Sequence, residues 1–473
     1  MSIPPRFTAL VTALLTVLTL AALTPDAVAQ KKPAASAPPP ALVETIDKVN
    51  LTLSFPASFQ GVARRGSKSK EQDEDELGQW NAKFGDKRVF IDLEAWDNFA
   101  GKEPSRITGR VQDHVRSDDY EGPVFQFVEH KLLPGKFGFA PYASLLWGSM
   151  VERGTTMDVA SVWYFAGVTD KSAYLLVVQV EPTASAAEQA QVLEFLTKGV
   201  SYTGAERDPK WTEDETQQRW DEDSALSEKA RKDFKLIRTA HYLVMTNSSG
   251  GDRFAKQMEL NYATIQKTYP FPEVPGRRLM PVFLFQDPNE YYAFCVKQFE
   301  WSMGEARKSK GVASGDFYAT WYEAPQDPVH IHEATHQIFS NRLELGGGGS
   351  WYQEGVAEYI ETKPNERNDI ARRVKNAEHT PLREFVRLES LLMSSEDDKS
   401  GDSAASLHYK QAALLIEFLR ESKQHKEKFL DWLHAMGHTP DNDVAAIEAV
   451  FQRVYGLSID QLDQELVKYC QKR

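Results

Sequence analysis

Residues 327–339 read DPVHIHEATHQIF, and this stretch decides the fold of the second half of the chain. Asp327 followed by Pro328 is typical of a helix start, because aspartate can cap the first turn and proline fits the first helical position. Apolar residues recur at helical spacing after this pair. We therefore predict a helix over roughly 328–343.

His332 and His336 are four residues apart on this predicted helix, so their rings project from the same face. Two neutral imidazoles in this arrangement can bind one Zn²⁺ ion. Glu333 lies beside them, where it can act as the general base that activates a zinc-bound water. The motif H-E-x-x-H becomes specific only when a third ligand comes from a separate helix.

A second stretch, SWYQEGVAEY at 350–359, supplies that third candidate ligand. Glu354 stands eighteen residues after His336. The glycines Gly346–Gly349 supply a flexible turn that lets the second helix fold back on the first. We expect the carboxylate of Glu354 to face the two histidines.

The same helix carries further polar residues with predicted roles. Ser350 and Gln353 match a capping box at its start. Glu358, one turn after the ligand, is expected to hydrogen-bond a ligand histidine, and Glu361 shares its face. The alternative is a solvated stripe of glutamates, but the many apolar residues on this helix predict burial.

These motifs together resemble the gluzincin metallopeptidases, the clan of thermolysin and the zinc aminopeptidases. H-E-x-x-H followed by W-x-x-E-G-x-A-E-Y is most similar to the secreted bacterial peptidase-MA-like proteins, and the resemblance covers about residues 235–470. It implies that Glu354 is the third zinc ligand. The stretch LHYKQAALL at 407–415 resembles the family's Y-x-K-G-A helix, which implies that Tyr409 stabilises the tetrahedral intermediate.

The resemblance has limits. The aminopeptidase segment G-x-M-E-N, which grips the free amine of a substrate, is absent. Residues 311–318 read GVASGDFY and are predicted to form an edge strand that pairs with a peptide backbone. Tyr409 also fits a packed core helix, His408 is an alternative for its role, and His330 is interpreted as structural.

We therefore expect a secreted zinc-dependent metallopeptidase that hydrolyses peptide bonds in a peptide or protein substrate by a Glu-activated, zinc-bound water. Two alternatives stay open. One is a non-catalytic binding or structural protein that retains a zinc-site scaffold, and the other is a zinc hydrolase of a different amide. Retention of Glu333 favours an enzyme, because a purely structural site needs no base.

The remaining features concern location and partners. Residues 1–29 are predicted to be a signal peptide, which places the mature protein in a secreted or periplasmic location with no stable membrane insertion after cleavage. The alternative is an uncleaved membrane anchor, for which the apolar run is short and rich in threonine. Lys plus Arg is 55 and Asp plus Glu is 68, a net charge of -13, so nothing favours nucleic-acid binding. Cys295 and Cys470 match either a disulfide or two buried thiols. The oligomeric state is not predicted.

The predicted fold class is α+β, with an N-terminal sheet-plus-helix domain followed by a gluzincin-like domain in which a short sheet precedes a mostly helical bundle. The predicted segments are a disordered linker (30–42), an accessory domain of unknown role (43–204), a charged linker or helix (205–233) and the zinc domain (234–473). Strands are expected at Leu51–Phe55, Arg88–Leu93, Val124–Val128, Val159–Ala166 and Tyr174–Val180.

Overall fold

The computed structural model describes residues 42–65, 76–97, 123–153, 155, 157–169, 172–206, 211–224, 226–314, 317–391 and 404–473. The predicted signal peptide and all but the last residue of the predicted linker lie outside these ranges. The predicted boundaries of the accessory, linker and zinc segments stay predictions.

The first described part of the chain is rich in strands. Its strands are β1 (Val43–Ile46), β2 (Leu51–Ser54), β3 (Gln60–Arg64), β4 (Glu76–Phe84), β5 (Lys87–Asp97), β6 (Val124–Pro134), β7 (Tyr142–Val151), β8 (Asp158–Val168), β9 (Ser172–Glu181) and β10 (Val200–Tyr202). A short 3₁₀ turn, Asp47–Val49, separates the first two. Helix α1 (Ala186–Glu194) continues into a π-helical turn, Phe195–Gly199.

These strands form two antiparallel sheets. The larger has the order β3-β4-β5-β9-β8-β7-β6, and the smaller has the order β1-β2-β10. The small sheet and α1 contribute to one apolar core with one face of the large sheet. All five predicted strands are confirmed, whereas β4 and β7 were not predicted because their sequences, ELGQWNAKF and YASLLWGSMV, mix polar, glycine and apolar residues.

Helix α2 (Trp211–Asp223) follows, and the short helix α3 (Glu228–Arg231) leads into the second part of the chain. One position of this charged segment is buried. Trp220 is only 1% exposed and packs against Phe283 and Phe285. A charged helix is thus anchored to the core by one large aromatic side chain.

A five-stranded sheet begins the second part. Its strands and the helices between them are β11 (Lys235–Arg238), β12 (Tyr242–Thr246), α4 (Gly251–Thr268), β13 (Met280–Phe285), α5 (Pro288–Phe299), α6 (Met303–Ala306), β14 (Gly311–Ser314) and β15 (Phe317–Trp321). The order is β11-β12-β13-β15-β14. Strand β14 lies at the edge and pairs antiparallel with β15, so the predicted edge strand is confirmed for Gly311–Ser314.

Helices complete the chain. They are α7 (Pro328–Ile338), α8 (Ser350–Glu361), α9 (Asn368–Lys375), α10 (Leu382–Phe385), α11 (Ala404–Glu421), α12 (Phe429–Gly437), α13 (Val444–Tyr455) and α14 (Ile459–Gln471). The turns Pro364–Arg367 and Lys426–Lys428 are 3₁₀-helical, and Phe339–Leu343 is π-helical. A short sheet followed by packed helices confirms the predicted α+β class.

Burial decides between the two alternatives for the cysteines. Cys295 and Cys470 are both free and buried, so they act as small apolar residues in the core. Among the described residues, no helix is long and apolar enough to cross a membrane.

Candidate metal centre

Helix α7 begins as its sequence predicts. The Asp327 carboxylate accepts a hydrogen bond from the Val329 amide at 3.1 Å, and Pro328 occupies the first turn. The helix then runs into the π-helical turn Phe339–Leu343, so the predicted span of 328–343 holds. One rigid element therefore carries His332, Glu333 and His336.

Helix α8 starts differently from the prediction. Its N-cap is Gly349, and the predicted capping box between Ser350 and Gln353 is wrong. The Gln353 amide instead donates to the carbonyls of Leu345 and Gly347, at 2.9 and 2.7 Å. This side chain thus closes the loop that joins the two helices through its amide group.

Gly355 explains how close α8 lies to α11. A Cβ atom at this position would stand 3.1 Å from the Ala412 carbonyl oxygen and 3.2 Å from Ile416 Cγ1. Only glycine leaves room for this approach without a shift of one helix. The residue next to the candidate ligand Glu354 therefore sets the distance to the helix that carries Tyr409.

Three candidate ligand atoms converge as the sequence predicts. His332 Nε2 lies 3.1 Å from His336 Nε2 and 3.2 Å from Glu354 Oε2, and His336 Nε2 lies 3.5 Å from Glu354 Oε2. Four ligands at about 2.0–2.1 Å around a tetrahedral Zn²⁺ would stand about 3.3 Å apart. The spacing of the three atoms fits zinc, and the fourth corner of the tetrahedron has no ligand from these residues.

The charges at the centre favour a cation. Burial alone would raise the pKa of Glu354, but the neighbouring His336 and His332 lower it well below its usual range. Burial alone would lower the pKa of His332, yet hydrogen bonds to Glu354 and Glu361 raise it well above its ordinary value. The acidic surroundings therefore favour a positive charge among these groups, which a bound divalent ion would supply in place of a proton.

Glu361 is closer than Glu358 to Nδ1 of His332, the ring nitrogen that faces away from Glu354. Its Oε2 lies 2.8 Å from His332 Nδ1, whereas the Oε2 of Glu358 lies 4.0 Å away. A carboxylate that accepts this hydrogen bond places the proton on Nδ1 and leaves Nε2 free for a metal. Sequence reasoning gave this role to Glu358, although the seven-residue spacing from Glu354 to Glu361 also returns to the same helix face.

Glu358 lies beside this pair. Burial, and then the charge of Glu361, raise the pKa of Glu358 to about 7. Together with His332 these two carboxylates form a second group whose ligand atoms lie within 4.8 Å of one another. The side of His332 opposite Glu354 is therefore strongly acidic.

Glu333 lies between the metal centre and the edge strand. Its Oε2 accepts a hydrogen bond from the Ala313 amide of β14 at 2.7 Å. A Cβ atom on Gly311 would stand 3.3 Å from Glu333 Cγ, so the strand passes close to this side chain. The candidate base is held by a backbone donor of the same strand that was predicted to bind substrate.

Tyr409 lies on α11, close enough to the metal centre for the carboxylates there to act on its hydroxyl. Burial, and then the charges of Glu354, Glu333, Glu358 and Glu361, raise its pKa far above the usual range. Its hydroxyl therefore stays protonated at all working pH values and is available as a hydrogen-bond donor.

The other two histidines considered from sequence lie elsewhere. His408 Nε2 is 3.1 Å from the Thr380 hydroxyl, and its ring packs on Phe385. His330 is buried, with Nδ1 at 2.8 Å from the Tyr318 hydroxyl and Nε2 at 2.9 Å from the Ala324 carbonyl oxygen. The structural interpretation of His330 agrees with these contacts.

Comparison with known proteins gives weak likenesses. No protein-family model matches the chain, and no curated protein matches it. Among solved structures, the chain is similar to the M1 zinc metallopeptidase from Deinococcus radiodurans, with 11% identity, a TM-score of 0.30, and coverage of 82% of this chain and 90% of that chain. A mutant of that enzyme bound to a Tyr-Ser-Ala substrate gives 10% identity and the same TM-score and coverage.

A protein from Bacteroides thetaiotaomicron is similar at 10% identity and a TM-score of 0.19, over 63% of this chain and 77% of that one. Because all these TM-scores lie far below 0.5, the likenesses carry no weight for the activity of this chain.

Proposed function

We propose that this protein is a zinc-dependent hydrolase of peptide bonds, of the gluzincin type. The observation that carries the proposal is the convergence of His332 Nε2, His336 Nε2 and Glu354 Oε2 within 3.1–3.5 Å of one another. Two imidazoles and one carboxylate with an open fourth position are the ligand set of catalytic rather than structural zinc.

The surrounding residues have distinct tasks in this reaction. A bound Zn²⁺ supplies Lewis-acid polarisation and lowers the pKa of water at the centre. Glu333, which is adjacent but not a ligand, takes a proton from the attacking water and hands it to the leaving amine. Tyr409 donates a hydrogen bond to the developing oxyanion of the substrate, and Glu361 holds the His332 ring in the tautomer that leaves Nε2 free.

The edge strand supports a peptide as the substrate. Among the described strands β14 pairs with β15 alone, so at its other edge the backbone groups that Glu333 does not occupy can add an extended peptide to the sheet. Ala313 and its amide face Glu333 on that side. A peptide bound along β14 would therefore pass directly over the candidate base.

The two alternative functions are less well supported than a peptidase. A non-catalytic protein with a zinc-site scaffold would have no use for Glu333, and a hydrolase of another amide would have no use for an open strand edge. On the sequence of residues 1–29 alone, we propose a secreted or periplasmic location.

The test is cleavage of an unfolded protein by the zinc-loaded chain, with and without a chelator. The Glu333→Gln variant should lose about 10²- to 10⁴-fold in turnover while it retains one zinc per chain, because it removes a base and no ligand. Glu300→Gln, an exposed glutamate on another helix end, is the matched control and should retain full activity. Full activity of Glu333→Gln, or cleavage unaffected by the chelator, would overturn the proposal.

A further inference from the structure

The loop between the two ligand-bearing helices touches the N-terminal sheet through one buried carboxylate. Glu344 follows the π-helical turn of α7 directly, has φ 60°, and has a side chain that is 1% exposed. Its Oε2 lies 2.7 Å from His130 Nε2 on β6 and accepts a hydrogen bond from the Ser144 hydroxyl on β7 at 2.9 Å. The contact joins parts of the chain that are 200 residues apart.

Arg277 completes the surroundings of this carboxylate. Its guanidinium lies 3.7 Å from Glu344 Oε1 and donates to the Arg342 carbonyl in the π-helical turn that follows α7. Burial alone would raise the pKa of Glu344, but His130, Arg277 and Ser144 lower it, so the carboxylate is ionised. An ionised carboxylate this deeply buried depends on its partners, and loss of one partner leaves a costly unpaired charge.

The rest of the loop is held by the end of α12 and the segment that follows it. The amides of Gly347 and Gly348 donate to the carbonyls of Gly437 and Thr439 at 2.7 and 2.8 Å. The intervening His438 stacks on Phe127 of β6, with ring centroids 4.7 Å apart. The large sheet thus touches both the loop and the segment that supports it.

We propose that the N-terminal sheet is a positioning element of the metal centre: through His130 and Ser144 it fixes Glu344, and with it the relative placement of α7 and α8. The proposal rests on the zinc site proposed above. Helix α7 carries two ligands and α8 carries the third, so the loop between them sets whether the third ligand reaches the ion. Metal–ligand distances tolerate only about 0.2 Å of error, so a small shift of α8 is sufficient to weaken binding.

The experiment compares variants of the full chain by zinc affinity, measured by competition with a chelator. His130→Ala and Ser144→Ala should each weaken zinc binding by about tenfold. The matched control is Arg453→Ala on α13. Arg453 bonds to Gln126 of the same sheet at 2.6 Å but touches neither ligand helix, so its loss should lower the melting temperature without a change in zinc affinity.

Hydrogen exchange of residues 339–349 gives a readout that does not need metal. Exchange should increase in His130→Ala and Ser144→Ala and stay as in the wild type in Arg453→Ala. The proposal is overturned if His130→Ala and Ser144→Ala lower the melting temperature but change neither zinc affinity nor exchange over 339–349. His130 and Ser144 would then contribute to stability alone. If the wild type binds no zinc, the proposed function fails, and exchange alone decides the role of the sheet.

Discussion

Glu361 and Glu358 offer a matched pair of substitutions around one histidine. Both carboxylates lie on α8 beside His332 Nδ1, one at 2.8 Å and the other at 4.0 Å. Changing either to glutamine removes one negative charge near the metal centre, so the loss of long-range attraction is common to both. The difference between the variants therefore measures the hydrogen bond to Nδ1.

We expect Glu361→Gln to weaken zinc binding by about 10- to 100-fold, or about 1.4–2.7 kcal/mol, which is the usual effect of losing the carboxylate partner of a ligand histidine. Glu358→Gln should weaken it much less, because 4.0 Å is beyond hydrogen-bond distance. Chelator competition at pH 8 measures both, since the pKa of Glu358 is about 7 and the wild-type side chain is then mostly ionised. Equal affinities, or a larger loss in Glu358→Gln, would refute this assignment.

Three further predictions concern the strand edge, the large sheet and α2. Ala313→Pro removes the amide that bonds to Glu333 but no bond of the β14–β15 ladder, so turnover should fall while zinc affinity is retained; equal turnover would show that the amide is dispensable. Burial, and then the charges of Glu94 and Glu76, raise the pKa of Asp92 in the folded protein from 3.8 to about 6. The unfolded chain therefore releases this proton at a lower pH than the folded chain, and the folded state loses stability as the pH rises from about 4 to 6. Asp92→Asn should therefore stabilise the fold at pH 7, by about 1–2 kcal/mol in urea unfolding after allowance for partial exposure, and not at pH 3.5. Trp220→Ala should cost about 3–5 kcal/mol in the same assay, while Gln217→Ala on the exposed face of α2 should cost less than about 0.5; similar losses would mean that the tryptophan does not anchor the helix.

Much of the centre follows from local patterns in the sequence. An aspartate-proline start and apolar spacing define α7, and a four-residue interval places His332 and His336 on one face. A largely apolar helix after a run of glycines brings Glu354 back to them. These features depend on neighbours in the chain, which is why sequence alone is sufficient.

Other features depend on contacts between distant segments. Gln353 was expected to cap its own helix, yet the loop carbonyls it meets are set by the tertiary fold. The choice of Glu361 over Glu358 depends on the rotation of α8 against α7, which the spacing does not fix. Trp220 lies in a charged segment, and it is buried by phenylalanines that are distant in sequence, Phe283 and Phe285 of β13, and by Phe234. The contact of His130 with Glu344 joins two regions with no shared sequence signal.

The most direct test of the central claim is X-ray absorption at the zinc edge on the purified chain, with metal content measured on the same sample. We predict one zinc per chain with two imidazole nitrogens and a carboxylate oxygen at about 2.0–2.1 Å, and loss of that zinc in Glu354→Ala. A chain that retains no zinc after exposure to it, or a zinc environment without histidine, would contradict the claim that His332, His336 and Glu354 form a metal centre.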